Sequence, residues 1–309
     1  MTVLKNLLVA LDHTEMDGEL VRLSAFIANT AGSKSVSFFH VVRFLNIPDQ
    51  VLKEFPHLID NALSDRKKEI EATVKDNFES KRVVQTEVVI ERGQPTKNIL
   101  KWSEKNDIDV IIIGRKKKHK GSGILSQRLA RRASCSILIV PEESVHITKL
   151  KKLLVPIDFS RHSTLAVEQA INTAVNSSLD VSITCLNVYH VPIGYHYSGK
   201  SYEEFGETMK ANAEKDYKRF IRKIDTKGIK VEALFVLDRH EKPVQVIYDS
   251  ALKVHADGII LGARGKTAPA AFLLGSISER LIQLDTKIPL LVVRPKGENA
   301  GIMEALKLI

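Results

Sequence analysis

The sequence predicts an α/β protein made of two tandem copies of one domain. The first observation is a repeat: segment 7–12 (LLVALD) returns as segment 153–158 (LLVPID), displaced by 146 residues, and two later apolar segments return at displacements of 147 and 148. The second is an alternation within each copy, in which short apolar runs are followed by amphipathic stretches of helical period. Alternating strands and helices form βαβ units, so we expect a mostly parallel sheet with helices on both faces in each copy.

The length of the chain fits this division. At 309 residues it exceeds one ordinary domain and suits two of about 150 residues each. We place the first domain at residues 1–146 and the second at residues 147–309, because a polar stretch typical of a linker covers residues 142–151. The displacement grows to 153 at the last strand of each copy, so the second copy carries several extra residues between its fourth and fifth strands.

The elements of the second copy follow in order along the chain. Apolar, β-branched runs predict strands at 152–157, 181–188, 229–236, 258–262 and 289–294. Amphipathic stretches predict helices near 162–176, 201–225, 243–255 and 276–285. The first copy shows the same pattern.

Composition excludes several classes of protein. The apolar runs are too short to span a bilayer, and the first residues lack the pattern of a secretory signal, so we expect a cytoplasmic protein without a membrane segment. Cys135 and Cys185 lie in or beside apolar runs, as reduced core thiols do. The histidines are scattered without zinc-ligand spacing, so we expect a metal ion, Mg²⁺ or Mn²⁺, only together with a phosphate ligand.

The candidate chemistry lies where the second copy is longer. Its fourth strand ends at Gly262, Gly265 follows after two residues, and after nine more Gly275 and Ser276 open a helix. Glycine lets a backbone approach an anion closely, and a helix amino terminus offers unpaired N–H groups. Each residue alone has an ordinary explanation as a strand end or a helix cap. Together with Asp158 at the end of the first strand, they predict the phosphate loop of a nucleotide site.

This pattern resembles the universal stress protein family, and the resemblance covers essentially the whole chain, twice. It implies that each copy is a Rossmann-like, adenine nucleotide α hydrolase-like domain with a five-stranded parallel sheet of order 3-2-1-4-5. It also implies a site for ATP, or for ADP or AMP, in the second domain. The residues implied around adenine and ribose are Pro156, Ile157, Asp158, Val188 and Gly262, and those implied at the phosphates are Gly265, Gly275, Ser276 and Ile277. Arg264 and Lys266 are expected to neutralise phosphate charge.

The first copy departs from the pattern of the family. Gly114 is present, but Lys117 stands where the second glycine is expected, the loop to Gly123 is shorter by four residues, and Ile124 replaces the serine. Binding of ATP in the manner of the family is therefore not expected there. Asp12 and Val41 are retained, which leaves open a truncated nucleotide or another phosphate-bearing ligand held by Lys117 and Lys118.

The fifth strand of each copy suggests how the copies assemble. Segments 136–140 and 290–293 are apolar and, in the family order, lie at the edge of their sheets, where an open strand invites aggregation. We therefore expect these edges to pair in a pseudo-symmetric intramolecular dimer, as is common in the family, with a further homodimer as an additional level of assembly.

The expected function is that of a stress-response protein that binds ATP in its second domain and acts as a nucleotide-dependent regulator. No general base or nucleophile is visible on the loop, so we expect ATP hydrolysis to be slow at most. Two alternatives stay open: a scaffold or adaptor that does not depend on a nucleotide, and a polyanion-binding protein. The second would use the basic segment 115–120, which carries five lysine or arginine residues in a chain of net charge +9, although such runs are usually only solvated.

Overall fold

A computed structural model describes residues 4–43, 47–116, 123–144, 150–177, 180–266, 274–284 and 287–298. By their contacts, the described residues form two compact units. The first domain comprises Thr2–Thr148 together with segment 296–298, and the second comprises Lys149–Pro295. Each domain has an alternating strand and helix order, as the sequence predicts.

The first domain contains five strands and five α-helices in its described part. In chain order they are β1 (Asn6–Leu11), α1 (Met16–Ala31), β2 (Ser35–Val42), α2 (Asp49–Glu54), α3 (Leu58–Asn77), β3 (Gln85–Arg92), α4 (Pro95–Lys105), β4 (Val110–Arg115), α5 (Ile124–Arg132) and β5 (Ser136–Pro141). All of the strand pairs within this domain are parallel, and the strand order is β3-β2-β1-β4-β5. The apolar strands β1 and β4 lie in the middle of this sheet and are almost entirely buried.

The second domain repeats this arrangement. Its elements are β6 (Lys152–Pro156), α6 (Arg161–Asn176), β7 (Ser182–Tyr189), α7 (Tyr202–Ile221), β8 (Val231–Leu237), α8 (Pro243–Lys253), β9 (Gly258–Gly262), α9 (Ser276–Gln283) and β10 (Leu290–Val293). The strand order is β8-β7-β6-β9-β10, again with parallel pairs throughout. The predicted α/β class and parallel sheets are confirmed.

The predicted elements of the second domain agree with the structure to within a few residues. The largest difference is at the end of α7, which stops at Ile221 although the sequence predicts a helix to residue 225. After Ile221 the hydrogen bonds span three residues instead of four, from the N–H of Lys223 to the carbonyl of Phe220 (3.2 Å) and from that of Ile224 to Ile221 (3.0 Å). A turn follows, in which the side chain of Asp225 accepts a hydrogen bond from the backbone N–H of Lys227, 2.9 Å away. Lys227 and Gly228 both have positive φ angles, 51° and 78°, which a continuing helix does not allow.

One aspartate in each domain ties the beginnings of two neighbouring strands together. Asp109, which precedes β4, accepts hydrogen bonds from the backbone N–H groups of Lys5 and Asn6, each 2.8 Å long. Asp257, which precedes β9, accepts the equivalent bonds from Lys151 and Lys152, at 2.7 and 2.9 Å. These contacts fix the amino ends of the central strands in both copies of the repeat.

Residues 296–298, the last described residues of the chain, belong to the first domain. The Lys296 ammonium lies 2.7 Å from a carboxylate oxygen of Asp109 and 2.8 Å from one of Asp107, and the N–H of Gly297 donates to the carbonyl of Ser134. This grouping differs from the boundary expected from the sequence, which assigned all residues from 147 to 309 to the second domain.

Two consequences of the fold bear on function. Because the strands within each sheet are parallel, their carboxyl ends meet at one edge, which is the position of ligand sites in open α/β sheets. Among the described helices, none combines the length and the apolar character that crossing a membrane requires.

Candidate functional site

A cavity of about 410 Å³ opens at the carboxyl ends of β6, β7 and β9 in the second domain. Its volume lies in the range of small-molecule sites. Ten of the eleven residues that the sequence analysis assigned to the nucleotide line this cavity: Pro156, Ile157, Asp158, Val188, Gly262, Arg264, Gly265, Gly275, Ser276 and Ile277. The eleventh, Lys266, is not among the lining residues. The structure thus brings together residues from three strands, the loop after β9 and the start of α9.

Seven further residues line the same cavity and were missed by the sequence analysis. They are Ser163, Leu186, Pro243, Ile247, Leu261, Leu274 and Ser278. Pro243 and Ile247 stand four positions apart at the start of α8, so they share one helix face. That spacing is visible in the sequence, but local sequence does not determine which face of α8 turns toward the cavity.

Asp158 is held in place by three hydrogen bonds to its carboxylate. One oxygen accepts from the Ser163 hydroxyl at 2.7 Å and from the Ser160 N–H at 3.1 Å, and the other accepts from the N–H of Lys266. Burial by itself would raise the pKa of Asp158, but these hydrogen bonds outweigh it and keep the pKa below its ordinary value. The carboxylate is therefore ionised at neutral pH and turned toward the loop after β9.

The two glycines of this loop allow close approach of the backbone. A Cβ atom at Gly265 would lie 2.8 Å from a carboxylate oxygen of Asp158, and one at Gly275 would lie 3.3 Å from the backbone nitrogen of Gly265. In addition, the N–H of Gly275 donates to the carbonyl of Ala263, at 2.8 Å. The end of β9 and the start of α9 are therefore in contact, and a side chain at either glycine would press on Asp158 or on the neighbouring backbone. Both glycines line the cavity.

Helix α9 begins at this wall without a side-chain cap. Gly275 occupies the N-cap position and carries no side chain that could accept the first N–H groups of the helix. The Ser276 hydroxyl lies at the first helical position and is exposed, whereas the Ser278 hydroxyl donates to the carbonyl of Gly262 at 2.9 Å. The helix start thus presents backbone N–H groups and one hydroxyl at the cavity, an arrangement that suits an anion.

Gly262 has a second role, in packing. A Cβ atom at this position would lie 2.6 Å from Cβ of His162 and 2.7 Å from its backbone carbonyl oxygen. Helix α6 therefore packs directly on the end of β9, and Gly262 is needed for that contact whether or not a ligand is bound.

The first domain has a corresponding cavity of about 570 Å³ at the carboxyl ends of β1, β2 and β4. Asp12 and Val41, which the sequence analysis noted as retained, both line it. The Lys116 ammonium lies 2.7 Å from the Asp12 carboxylate, where the second domain has the backbone N–H of Lys266. Lys117 and Lys118 lie outside the described residues, whereas Gly123, the N-cap of α5, lines the cavity with a φ of 90°.

Two buried titratable groups lie at or next to the cavity of the first domain: His40 lines it, whereas Asp17 contacts the lining residues Asp12 and His13 without lining it. Asp17 stands where the second domain has Ser163, and its carboxylate accepts hydrogen bonds from the N–H groups of Asp12 and His13, at 3.2 and 2.8 Å. Burial raises the pKa of Asp17 to about 6 in spite of these hydrogen bonds. His40, whose Nδ1 lies 2.9 Å from the carbonyl oxygen of Leu11, has its pKa lowered by burial.

Comparison with protein families gives matches to both halves of the chain. The sequence model of the universal stress protein family matches residues 4–141 and again residues 149–294. Universal stress protein MJ0531 of Methanocaldococcus jannaschii is 32% identical over 151 residues, which are 48% of this chain and 85% of the relative. Universal stress protein MJ0577 of the same organism is 28% identical over 161 residues, which are 48% of this chain and 96% of the relative.

Solved structures of similar fold span the whole chain. A universal stress protein from Archaeoglobus fulgidus has a TM-score of 0.62 at 18% identity and covers 96% of this chain and 99% of its own. A functionally unknown protein, PA1789, from Pseudomonas aeruginosa has a TM-score of 0.65 at 14% identity, with 100% and 99% of the two chains covered. At such identities, these likenesses concern the fold alone.

Proposed function

Because the chain belongs to the universal stress protein family, we propose that its second domain binds ATP, or ADP or AMP, and that the protein acts as a nucleotide-dependent regulator in the stress response. The observation that carries this proposal is the contact among Asp158, Gly265 and Gly275 at the edge of the cavity. The Asp158 carboxylate, which can accept hydrogen bonds from hydroxyl groups, thereby lies beside the backbone N–H groups at the start of α9. A nucleoside needs the first of these features and its phosphates need the second.

The lining residues fit the parts of an adenine nucleotide. Ile157, Val188 and Ile247 supply apolar surface for the base. Asp158 uses three acceptor positions within the chain, and since a carboxylate offers about four, it retains capacity for a ribose hydroxyl. The backbone at Gly265 and Gly275 and the Ser276 hydroxyl would hold the phosphates.

Charge compensation at the phosphates would come from Arg264 and from a bound cation. Arg264 is the only lysine or arginine among the described residues that line this cavity. In the described part of the chain, no group of three histidine, cysteine or acidic side chains could hold a metal ion. We therefore propose that Mg²⁺ or Mn²⁺ enters with the phosphates and is held mainly by them.

A regulator fits this site better than an enzyme. Asp158 is the one carboxylate among the described lining residues, and its hydrogen bonds and lowered pKa make it a poor general base at neutral pH. Hydrolysis of bound ATP is therefore slow at most, and the consequence of binding is the occupied state itself.

The first prediction tests binding in the second domain. At about 100 times its dissociation constant, ATP with Mg²⁺ stabilises the domain that binds it by roughly 2.7 kcal/mol, which raises its melting temperature by roughly 5–10 °C. Replacing Ser276 by Ala removes a hydroxyl donor, and Gly265→Ala places a Cβ against Asp158. Each substitution is expected to lower the affinity for ATP about tenfold or more, measured by isothermal titration calorimetry.

Two matched variants serve as controls for this experiment. Ser182→Ala changes a serine at the amino end of β7, away from the cavity, and Gly206→Ala adds a Cβ inside α7, 3.6 Å from its nearest neighbour. Both should bind ATP like the wild type. If S276A and G265A also bind like the wild type, the site lies elsewhere; if the wild type binds no adenine nucleotide and none is extracted from the purified protein, the adaptor hypothesis is favoured.

A further inference from the structure

The cavity of the first domain is richer in positive charge than that of the second. Four lysine or arginine side chains line it, Arg43, Arg66, Arg115 and Lys116, whereas the described lining of the second cavity includes only Arg264. Loss of ligand binding alone does not explain why four cationic side chains line the cavity of the first domain. The difference therefore indicates that the first domain has a ligand different from that of the second.

The arginines reach this cavity from three separate elements. Arg43 follows β2, Arg66 lies in α3, and Arg115 ends β4, so the fold, not a local charge run, brings them together. The Arg115 guanidinium lies against Gly123 at the start of α5, where a Cβ atom would be 3.7 Å from its Nε. Arg66, which also pairs with Glu69 at 2.9 Å, is near enough to His40 to disfavour its protonated form.

The inner surface of the cavity is apolar. Leu11, Met16, Phe39 and Ile113 line it together with Val41. Cationic groups from three elements with apolar side chains behind them suit a ligand that has an anionic group attached to an apolar or aromatic body.

We propose that the first domain binds a compact phosphorylated ligand, a phosphomonoester on an apolar or aromatic body, through Arg66 and Arg115. Arginine presents a planar group of N–H donors that matches phosphate oxygens in pairs. A nucleoside triphosphate is disfavoured because the loop after β4 is four residues shorter than that after β9 and has Lys117 and Ile124 where the second copy has glycine and serine. Guanidinium groups thus replace the bare backbone as the anion-binding element.

The acidic groups of the cavity do not oppose this ligand strongly. The Asp12 carboxylate is paired with the Lys116 ammonium at 2.7 Å, so its charge is compensated within the chain. The Asp17 carboxylate does not line the cavity; it is buried and accepts hydrogen bonds from the backbone N–H groups of Asp12 and His13. Arg43, Arg66 and Arg115, of which Arg66 also pairs with Glu69, supply the positive potential that an incoming phosphate meets.

The test uses the full-length protein carrying Asp158→Ala and Ser276→Ala, which weaken the second site, so that its outcome does not depend on the function proposed there. AMP and phenyl phosphate are the phosphomonoester probes, adenosine is the uncharged counterpart of AMP, and ATP is the longer polyphosphate. Affinities are measured by calorimetry, and hydrogen exchange identifies the protected peptides. We expect AMP to bind about tenfold or more tightly than adenosine and more tightly than ATP, with protection at the carboxyl ends of β1 and β4.

Substitutions of the arginines give the decisive comparison. Arg66→Gln and Arg115→Gln should each lower the affinity for AMP about tenfold or more. Arg66→Lys should lower the affinity less than Arg66→Gln does, because lysine keeps the positive charge but lacks the planar guanidinium group. Arg82, exposed and located before β3 at the opposite edge of the sheet, supplies the matched control Arg82→Gln, which should change affinity less than twofold. Unchanged melting temperatures establish that the variants are folded.

Three results would overturn the proposal. The first is failure of both AMP and phenyl phosphate to bind at concentrations on the order of 1 mM. The second is an equal effect of R66Q, R115Q and R82Q, which would indicate general attraction of anions to a basic protein. The third is tighter binding of ATP than of AMP in the first domain, which would indicate that this cavity is an ordinary nucleoside triphosphate site.

Discussion

Asp17 shows how one residue can give the two copies of the repeat different behaviour. The equivalent position in the second domain is Ser163, which bonds Asp158 with an uncharged hydroxyl. Asp17 makes similar backbone contacts with a carboxylate that is 5% exposed, and burial raises its pKa from 3.8 to about 6. Because the folded-state pKa lies above the unfolded value, the folded protein binds this proton more tightly between about pH 4 and pH 6.

This shift predicts a pH dependence of stability that Asp17→Ser should remove. The contribution of Asp17 to the free energy of unfolding falls as pH rises from about 4 to about 6, by roughly 3 kcal/mol for a shift of this size, and stays low above that range. Urea unfolding of the wild type and of D17S at pH 4 and pH 7 measures the difference. The exposed Asp65 in α3 supplies the control Asp65→Ser, which should follow the wild type. Parallel pH profiles for wild type and D17S would refute the assignment.

At the scale of elements, a helix packs closely against a glycine at or near the end of β4 and of β9. In the second domain a Cβ at Gly262 would meet the backbone carbonyl of His162 at 2.7 Å, which cannot move without shifting α6. In the first domain a Cβ at Gly114 would meet the Met16 sulfur at 2.7 Å, the flexible end of a side chain.

Gly262→Ala is therefore expected to destabilise its domain more than Gly114→Ala destabilises the other. Overpacking of this kind typically costs about 1–3 kcal/mol, and we expect G262A near the upper end and G114A near or below the lower end. Calorimetric melting of both variants gives the comparison. Because α6 also carries Ser163, which holds Asp158, G262A should weaken ATP binding as well. Equal costs for the two substitutions would contradict this account of the packing.

The same contacts explain how far the sequence predicts the fold and the site. The strands were predictable because β1, β4, β6 and β9 are short apolar runs that the sheets bury. That ten of the named residues line one cavity was predictable only through glycine and serine spacing combined with the family resemblance, and their role in binding a nucleotide stays a prediction. Asp109 and Asp257 were not predictable, because a single aspartate before a strand resembles a loop residue until its partner strand is known. The packing role of Gly262 was missed for the same reason, since His162 lies a hundred positions earlier in the chain.

At the scale of the whole molecule, each domain has its own core and its own cavity, and the described linings of the two cavities have no residue in common. The expectation that the fifth strands pair stays a prediction, as does a homodimer. A ligand that binds one domain stabilises that domain by mass action, and any effect on the other must pass through a coupling free energy. The two proposed ligands can therefore be used to ask whether the domains act separately.

We predict that the two domains bind their ligands independently of each other at equilibrium. In the full-length protein, S276A should reduce the stabilisation by ATP and leave that by AMP at the first domain nearly unchanged, whereas R66Q should do the reverse. In the double variant S276A/R66Q, the loss of stabilisation by ATP and the loss of stabilisation by AMP should each equal the loss in the corresponding single variant. Their sum should therefore match the sum of the two single-variant losses to within about 0.5 kcal/mol, as expected for sites without shared partners. A calorimetric double-mutant cycle with both ligands measures this sum. A larger deviation would reveal coupling between the domains, and the signal of nucleotide occupancy would then be relayed within the chain before it reaches any partner.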